Sequence, residues 1–187
     1  MTSIYKTQEL KEPSFFQKYF HTSPKENFLI ELENHLRTNE SNLLNITKES
    51  TTLLAEKYKI NIEDFRSNLE ELYDRYLYQS LMDEKLADEE KKVLQHLEDI
   101  LFISSEYAKQ RFKLETENIY RKKIQMIVSD SKIDENEQKE LDNLKQNLGI
   151  DSSTEQDIRK EETIRIISAR KATKEEINEY YKNYDIR

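Results

Sequence analysis

Residues 83–105, DEKLADEEKKVLQHLEDILFISS, and residues 130–152, DSKIDENEQKELDNLKQNLGIDS, are two copies of one pattern. With Asp83 set on Asp130, nine of the 23 aligned positions are identical: Asp83/Asp130, Lys85/Lys132, Glu90/Glu137, Lys92/Lys139, Leu94/Leu141, Leu97/Leu144, Leu101/Leu148, Ile103/Ile150 and Ser105/Ser152. Chance would supply about two. Each copy reads as a polar turn with an apolar plug, Leu86 or Ile133, followed by a helix whose leucines recur at three and four residues. In the second copy Asp134 and Glu137 have capping-box spacing. The first copy carries Ala87 at the corresponding place, which leaves Asp88 as the expected cap. Gly149, the one glycine of the chain, falls where a left-handed helix exit is expected; the first copy has Phe102 there. A fainter third copy, IISARKATKEEI, begins at Ile166.

Outward from this repeat the chain keeps reading as helix. Phe65, Leu69, Leu72, Tyr73, Tyr76, Leu77 and Leu81 lay an apolar stripe on a helix from Asn61 to about Met82. Phe112, Ile119, Ile124, Ile127 and Val128 mark a long one from Ser105 to Ser129. Two more are expected over 154–169 and 174–184. Ser23-Pro24-Lys25-Glu26 has the form of a capped start for a helix running to Arg37. Residues 40–57 form a weaker helical segment, because Asn, Thr and Ser lower its propensity. The fold class is therefore all-α, eight or nine helices in tandem hairpins, with residues 1–60 as an N-terminal helical extension and 61–187 as the repeat domain. With 187 residues, one glycine and two prolines, few turns can interrupt it.

Composition also excludes chemistry. With no cysteine there is no disulfide, zinc knuckle or thiol nucleophile. One glycine cannot build a Walker loop or a dinucleotide fingerprint, both of which need several for backbone amides to approach phosphate. His21, His35 and His96 form no metal-binding motif. No apolar run reaches the roughly 20 residues that cross a bilayer, and the N-terminus has no signal pattern, so a cytoplasmic protein without membrane insertion is expected. No catalytic residue and no cofactor is assigned.

The formal charge of −8 argues against general nucleic-acid affinity, and its distribution is banded. Residues 61–100 are net −7, 101–129 net +3 and 130–151 net −4, with both ends neutral. The basic stretch Lys109, Arg111, Lys113, Arg121, Lys122 and Lys123 is expected to pair with the acidic bands on either side.

The second copy resembles the motif of TerB-like tellurite-resistance domains, carried by Asp130, Lys132, Ile133, Asp134, Glu137, Leu141, Leu144, Leu148, Gly149 and Ile150. The likeness spans residues 76–153 in two copies; the first departs from it at Ala87 and Phe102. It implies an all-helical protein linked to stress or phage defence through protein partners, with acidic residues suspected of binding metal. The same turn matches the second half of an EF-hand loop. Its first two ligand positions would be Met126 and Val128, which offer no carboxylate. A divalent-metal site on Asp130, Asp134 and Glu137 is the alternative to helix capping. Function follows as a non-enzymatic interaction module with a protein partner, or else a metal sensor or buffer. Phe15, Phe16 and Phe20, with Tyr19, are the partner-binding residues singled out, although such a segment more often folds back as a lid on a helical core. Tyr73, Tyr76, Tyr180, Tyr181 and Tyr184 read as packing residues.

Overall fold

The computed structural model describes residues 3–128, 134–162 and 165. Among them every regular element is helical: α1 (Phe15–Tyr19), α2 (Asn27–Thr38), α3 (Lys48–Tyr58), α4 (Arg66–Ser80), α5 (Asp88–Ile100), α6 (Ser105–Val128), α7 (Glu135–Leu148) and α8 (residues 152–162). The chain divides into two compact units, residues 1–113 and 114–187. The boundary lies within α6, so residues 1–60 share a unit with the first repeat copy.

In the first unit α2 packs on α3, and α5 packs on both α3 and α4. The core of this unit holds Phe28, Leu32, Leu36, Leu69, Leu77, Leu97 and Ile100 from these helices, with Ile46 and Leu101 from the turns beside them, each at most 1% exposed. Two helix starts differ from the sequence expectation. Before α3, Leu43–Asn45 form a short 3-10 turn, and the helix begins only after Thr47, whose side chain accepts from the Ser50 N–H at 3.3 Å. A residue that caps from its own side chain stops helix from extending backwards. Before α2, the chain enters through a turn in which Asn27 N–H donates to the Pro24 carbonyl. The helix starts at Asn27 with no side-chain cap bond, so Ser23 does not close the expected box.

In the second unit Tyr120, Ile124 and Ile127 of α6 are buried, as are Leu141, Leu144 and Leu148 of α7 and Ile158 of α8. Residues 166–187, with the third repeat copy, Tyr180, Tyr181, Tyr184 and the expected last helix, lie outside the described residues, as do residues 129–133.

The repeat is structural as well as sequential. Leu94/Leu141, Leu97/Leu144, Leu101/Leu148 and Ile103/Ile150 are all buried. The exits match bond for bond. Ile103 N–H donates to Glu98 O at 2.8 Å and Phe102 N–H to Asp99 O at 3.4 Å; Ile150 N–H donates to Lys145 O at 3.0 Å and Gly149 N–H to Gln146 O at 3.3 Å. Both exits are Schellman turns, and their left-handed residues are Phe102 (φ 55°) and Gly149 (φ 67°). The departure at Phe102 thus leaves the backbone motif unchanged. At the entry, Ala87 rather than Asp88 occupies the cap position, with Glu90 accepting from the Ala87 N–H at 2.8 Å. Asp88 lies inside the helix and pairs with Lys91 at 2.9 Å.

Candidate functional site

α1 is a single helical turn closed by a capping box: the Ser14 hydroxyl accepts from the Gln17 N–H at 3.3 Å, and the Gln17 side chain accepts from the Ser14 N–H at 2.8 Å. At about 100° per residue, Phe15, Phe16, Tyr19 and Phe20 occupy one continuous arc, and Gln17 and Lys18 the remainder. The aromatic arc faces solvent, with the four rings 80%, 72%, 73% and 67% exposed. The expected lid does not form. Gln17 and His21 instead line a cleft of about 490 Å³ with Lys25, Lys57, Tyr58 and Lys59, while Lys18 is exposed and pairs with Glu12 at 3.6 Å. The rings order one another edge to face: Phe15 on Phe16 with centroids 6.0 Å apart, Tyr19 on Phe20 at 5.1 Å. His21 terminates the turn at φ 50°.

The acidic turn has a different occupation. Asp134 Oδ1 accepts from the N–H groups of Asn136 at 2.7 Å and Glu137 at 2.8 Å, and Glu137 Oε2 accepts from the Asp134 N–H at 2.7 Å. Both carboxylates serve the N-terminus of α7, where unsatisfied amides and the helix dipole favour negative charge. Asp130 lies outside the described residues. Among those described, no three His, Asp or Glu side chains converge as a metal shell.

Three of the basic residues of α6, Arg111, Arg121 and Lys123, meet acids within their own units. Arg111 pairs with Asp74 at 3.0 Å, and Tyr107 donates to the same carboxylate oxygen at 3.0 Å. Arg121 meets Glu161 at 2.8 Å and Glu162 at 3.1 Å, while Lys123 meets Glu140 at 2.8 Å. Nearby, Glu155 accepts from Lys145 at 2.6 Å, Arg159 at 2.8 Å and the Tyr120 hydroxyl at 3.2 Å. Burial raises the Glu155 pKa, but the Lys145 hydrogen bond and the Arg159 charge outweigh it and hold the carboxyl below its ordinary range. Of the histidines, His96 Nε2 lies 2.7 Å from the Ile46 carbonyl and His21 is exposed.

One arrangement is almost silent in the sequence. Residues 3–11 run along α2, held by polar side chains of that helix, and by Glu40 just beyond it, that bond the strap's main chain. Glu40 accepts from the Ile4 N–H at 2.6 Å and Glu33 from the Lys6 N–H at 2.9 Å. Asn34 forms a two-bond clamp on Gln8, accepting from its N–H and donating to its carbonyl, both at 2.8 Å. Asn27 does the same on Lys11, at 2.8 and 2.9 Å. Arg75 braces Glu33 at 2.5 Å. Burial raises the Glu40 pKa, but bonds from Ser3 and the Ile4 N–H outweigh it and keep this carboxyl low. Tyr5 is the strap's apolar anchor, 1% exposed. The only trace in the sequence is the recurrence of Asn27 and Asn34 two turns apart on one helix.

No family model, no curated protein and no solved structure matches the chain.

Proposed function

We propose that the chain is a non-enzymatic adaptor that holds a partner protein through the aromatic arc of α1. The observation that carries this reading is the outward presentation of Phe15, Phe16, Tyr19 and Phe20 on a capped turn. An aromatic side chain buries about 150–250 Å² when covered. At about 25 cal/mol per Å², covering even two such rings gains several kcal/mol, which solvent exposure forfeits. Clustered exposed aromatics of this kind are where binding energy concentrates in protein interfaces. The inventory of the chain agrees with a binding role: no thiol, no phosphate loop, and three scattered histidines, of which His96 is engaged with a main-chain carbonyl. On this reading the acidic turns are caps rather than metal ligands. Kinship with TerB-like domains, and a place in bacterial stress or phage defence, belong to the same proposal and rest on the acidic hairpin motif.

The test is crosslinking in native cells of the wild-type chain and of a Phe15→Ser/Phe16→Ser/Phe20→Ser variant, each with and without chelator. A crosslinked partner that survives chelation and disappears in the variant is the expected result. The same crosslinks from both chains would refute the arc as the interface, and their loss on chelation alone would favour the metal reading. A negative gel shift at low salt is expected for nucleic acid, since such binding is strongest there.

A further inference from the structure

The alignment that sets Asp83 on Asp130 extends to the helix before each turn. It pairs Leu69 with Thr116, Tyr73 with Tyr120, Leu77 with Ile124 and Ser80 with Ile127, and all eight are buried. The first copy, built on α4, α5 and the start of α6, thus corresponds to the second, built on α6, α7 and α8. The two differ at one place in what fills it.

In the second copy that place is closed by the chain itself. Arg159 reaches Glu155 at 2.8 Å, Gln138 at 3.4 Å and the Tyr120 hydroxyl at 3.5 Å, and Lys145 meets the same Glu155 at 2.6 Å. The first copy keeps the tyrosine and changes the rest: Arg159 aligns with Phe112, Glu155 with Ala108, Lys145 with Glu98 and Gln138 with Lys91. There a cleft of about 480 Å³ is lined by Tyr73, Lys91, Leu94, Glu98, Ala108 and Phe112, with Lys109 beside them.

Two polar groups of this cleft have no partner. Tyr73 is 2% exposed, and its hydroxyl makes no hydrogen bond among the described residues. The half-buried Glu98 side chain has neither an ion pair nor a hydrogen bond among them. Buried polar groups are nearly always bonded, so such a pair calls for a donor. Position 98 can stand in for the missing acid, because in the second copy the tips of Lys145 and Glu155 meet. Of the rim lysines, Lys91 pairs with Asp88 at 2.9 Å and Lys109 is exposed.

We infer that this cleft receives an arginine side chain of a partner protein, in the place that Arg159 fills within the second copy. The methylenes of that arginine run along Leu94 and Ala108, and its guanidinium lies on Phe112 and donates to Glu98 and the Tyr73 hydroxyl. The cleft shares no residue with the aromatic arc of α1, so the two surfaces succeed or fail separately.

The test is an NMR titration of the isotope-labelled full chain with blocked alanine peptides that carry one central arginine, citrulline or glutamate. Citrulline keeps the shape of arginine and removes its charge. The arginine peptide should shift the Ala108 and Phe112 amides saturably and bind at least about tenfold tighter than the citrulline peptide. Glu98→Gln should abolish that preference. Glu98→Lys/Ala108→Glu/Phe112→Arg, which writes the second copy's filling into the first, should abolish binding. The proposal is overturned if the arginine peptide gives no saturable shifts, or if the citrulline or glutamate peptide binds as tightly. It is also overturned if Glu98→Gln, with wild-type helicity by circular dichroism, keeps the full preference. Shifts of the same amides on diluting the chain without peptide would overturn it too, by giving the cleft to a second copy.

Discussion

Replacing Gly149 by alanine isolates one backbone term. Gly149 sits at φ 67°, ψ 30°, and a Cβ built on it would meet nothing within 4 Å. No clash or cavity therefore contributes, and the cost is that of holding an L-residue in the left-handed region, about 1–2 kcal/mol. Alanine also narrows the unfolded ensemble by a few tenths, leaving a net loss of about 1 kcal/mol. The first copy supplies an internal control, because Phe102 holds the same conformation at the same point of the same turn. Phe102→Gly and Phe102→Ala both lose the ring, with Lys48 Nζ 5.1 Å from its centroid, so their difference again isolates the backbone. Glycine should be the more stable of the two by about 1 kcal/mol, the reverse of the order inside a helix, where alanine leads by a similar amount. Urea denaturation followed by circular dichroism measures each pair. Amide exchange at Ile150 and Ile103 reports the local opening of each turn, whose closing bonds those amides make. If alanine equals or exceeds glycine at both positions, the matched Schellman exits are wrong, and with them the equivalence of the two hairpins.

Three further outcomes follow from buried polar groups and caps. The Tyr5 hydroxyl is buried with no hydrogen-bond partner among the described residues, and burial pushes its pKa strongly upward. An unsatisfied buried polar group costs about 1–3 kcal/mol, so Tyr5→Phe should stabilise the first unit by about 1 kcal/mol in urea denaturation; a loss of that size would show that the hydroxyl has a partner. Glu155→Gln should destabilise the second unit by about 2 kcal/mol, since it removes the charge that gathers Lys145 and Arg159. Because the Glu155 pKa is lowered from an ordinary 4.5, its contribution is full above that value and lost as the pH falls through the folded-state pKa. An acid titration of stability should therefore be shallower in the glutamine variant, and an unchanged profile would remove Glu155 from the network's energetics. Asp134→Ala strips two bonds from the start of α7 and should cost about 1 kcal/mol; equal thermal unfolding with and without the side chain would contradict the cap.

Much of the fold is legible in the sequence because helix periodicity and capping are local. Leu94, Leu97 and Leu101 announce one buried face and Leu141, Leu144 and Leu148 another, and each face is buried as its spacing requires. The same locality explains the failures. Ser23 and Glu26 have box spacing, yet the chain passes through a turn there and α2 starts at Asn27, whose side chain the strap engages. Asp88 has the right chemistry for a cap, but the corner brings Ala87 to that position and Glu90 satisfies its amide instead.

For the surfaces the division is sharper. Composition alone removes thiol, metal-knuckle and phosphate-loop chemistry, because the first two need cysteine, which the chain lacks, and the third needs several glycines, of which it has one. It also marks Phe15, Phe16, Tyr19 and Phe20 as one helical face, since a turn of 100° per residue fixes that arc whatever surrounds it. Which way the arc faces is not a local property. It depends on where the fold sets Gln17, which with His21 lines a cleft beside Lys25, Lys57 and Lys59. The strap is the extreme case: its bonds join backbone to Asn and Glu side chains 16 to 36 residues away. Main-chain atoms are the same in every residue, so no sequence pattern on the strap encodes them, and only the folded path of α2 decides where they bind.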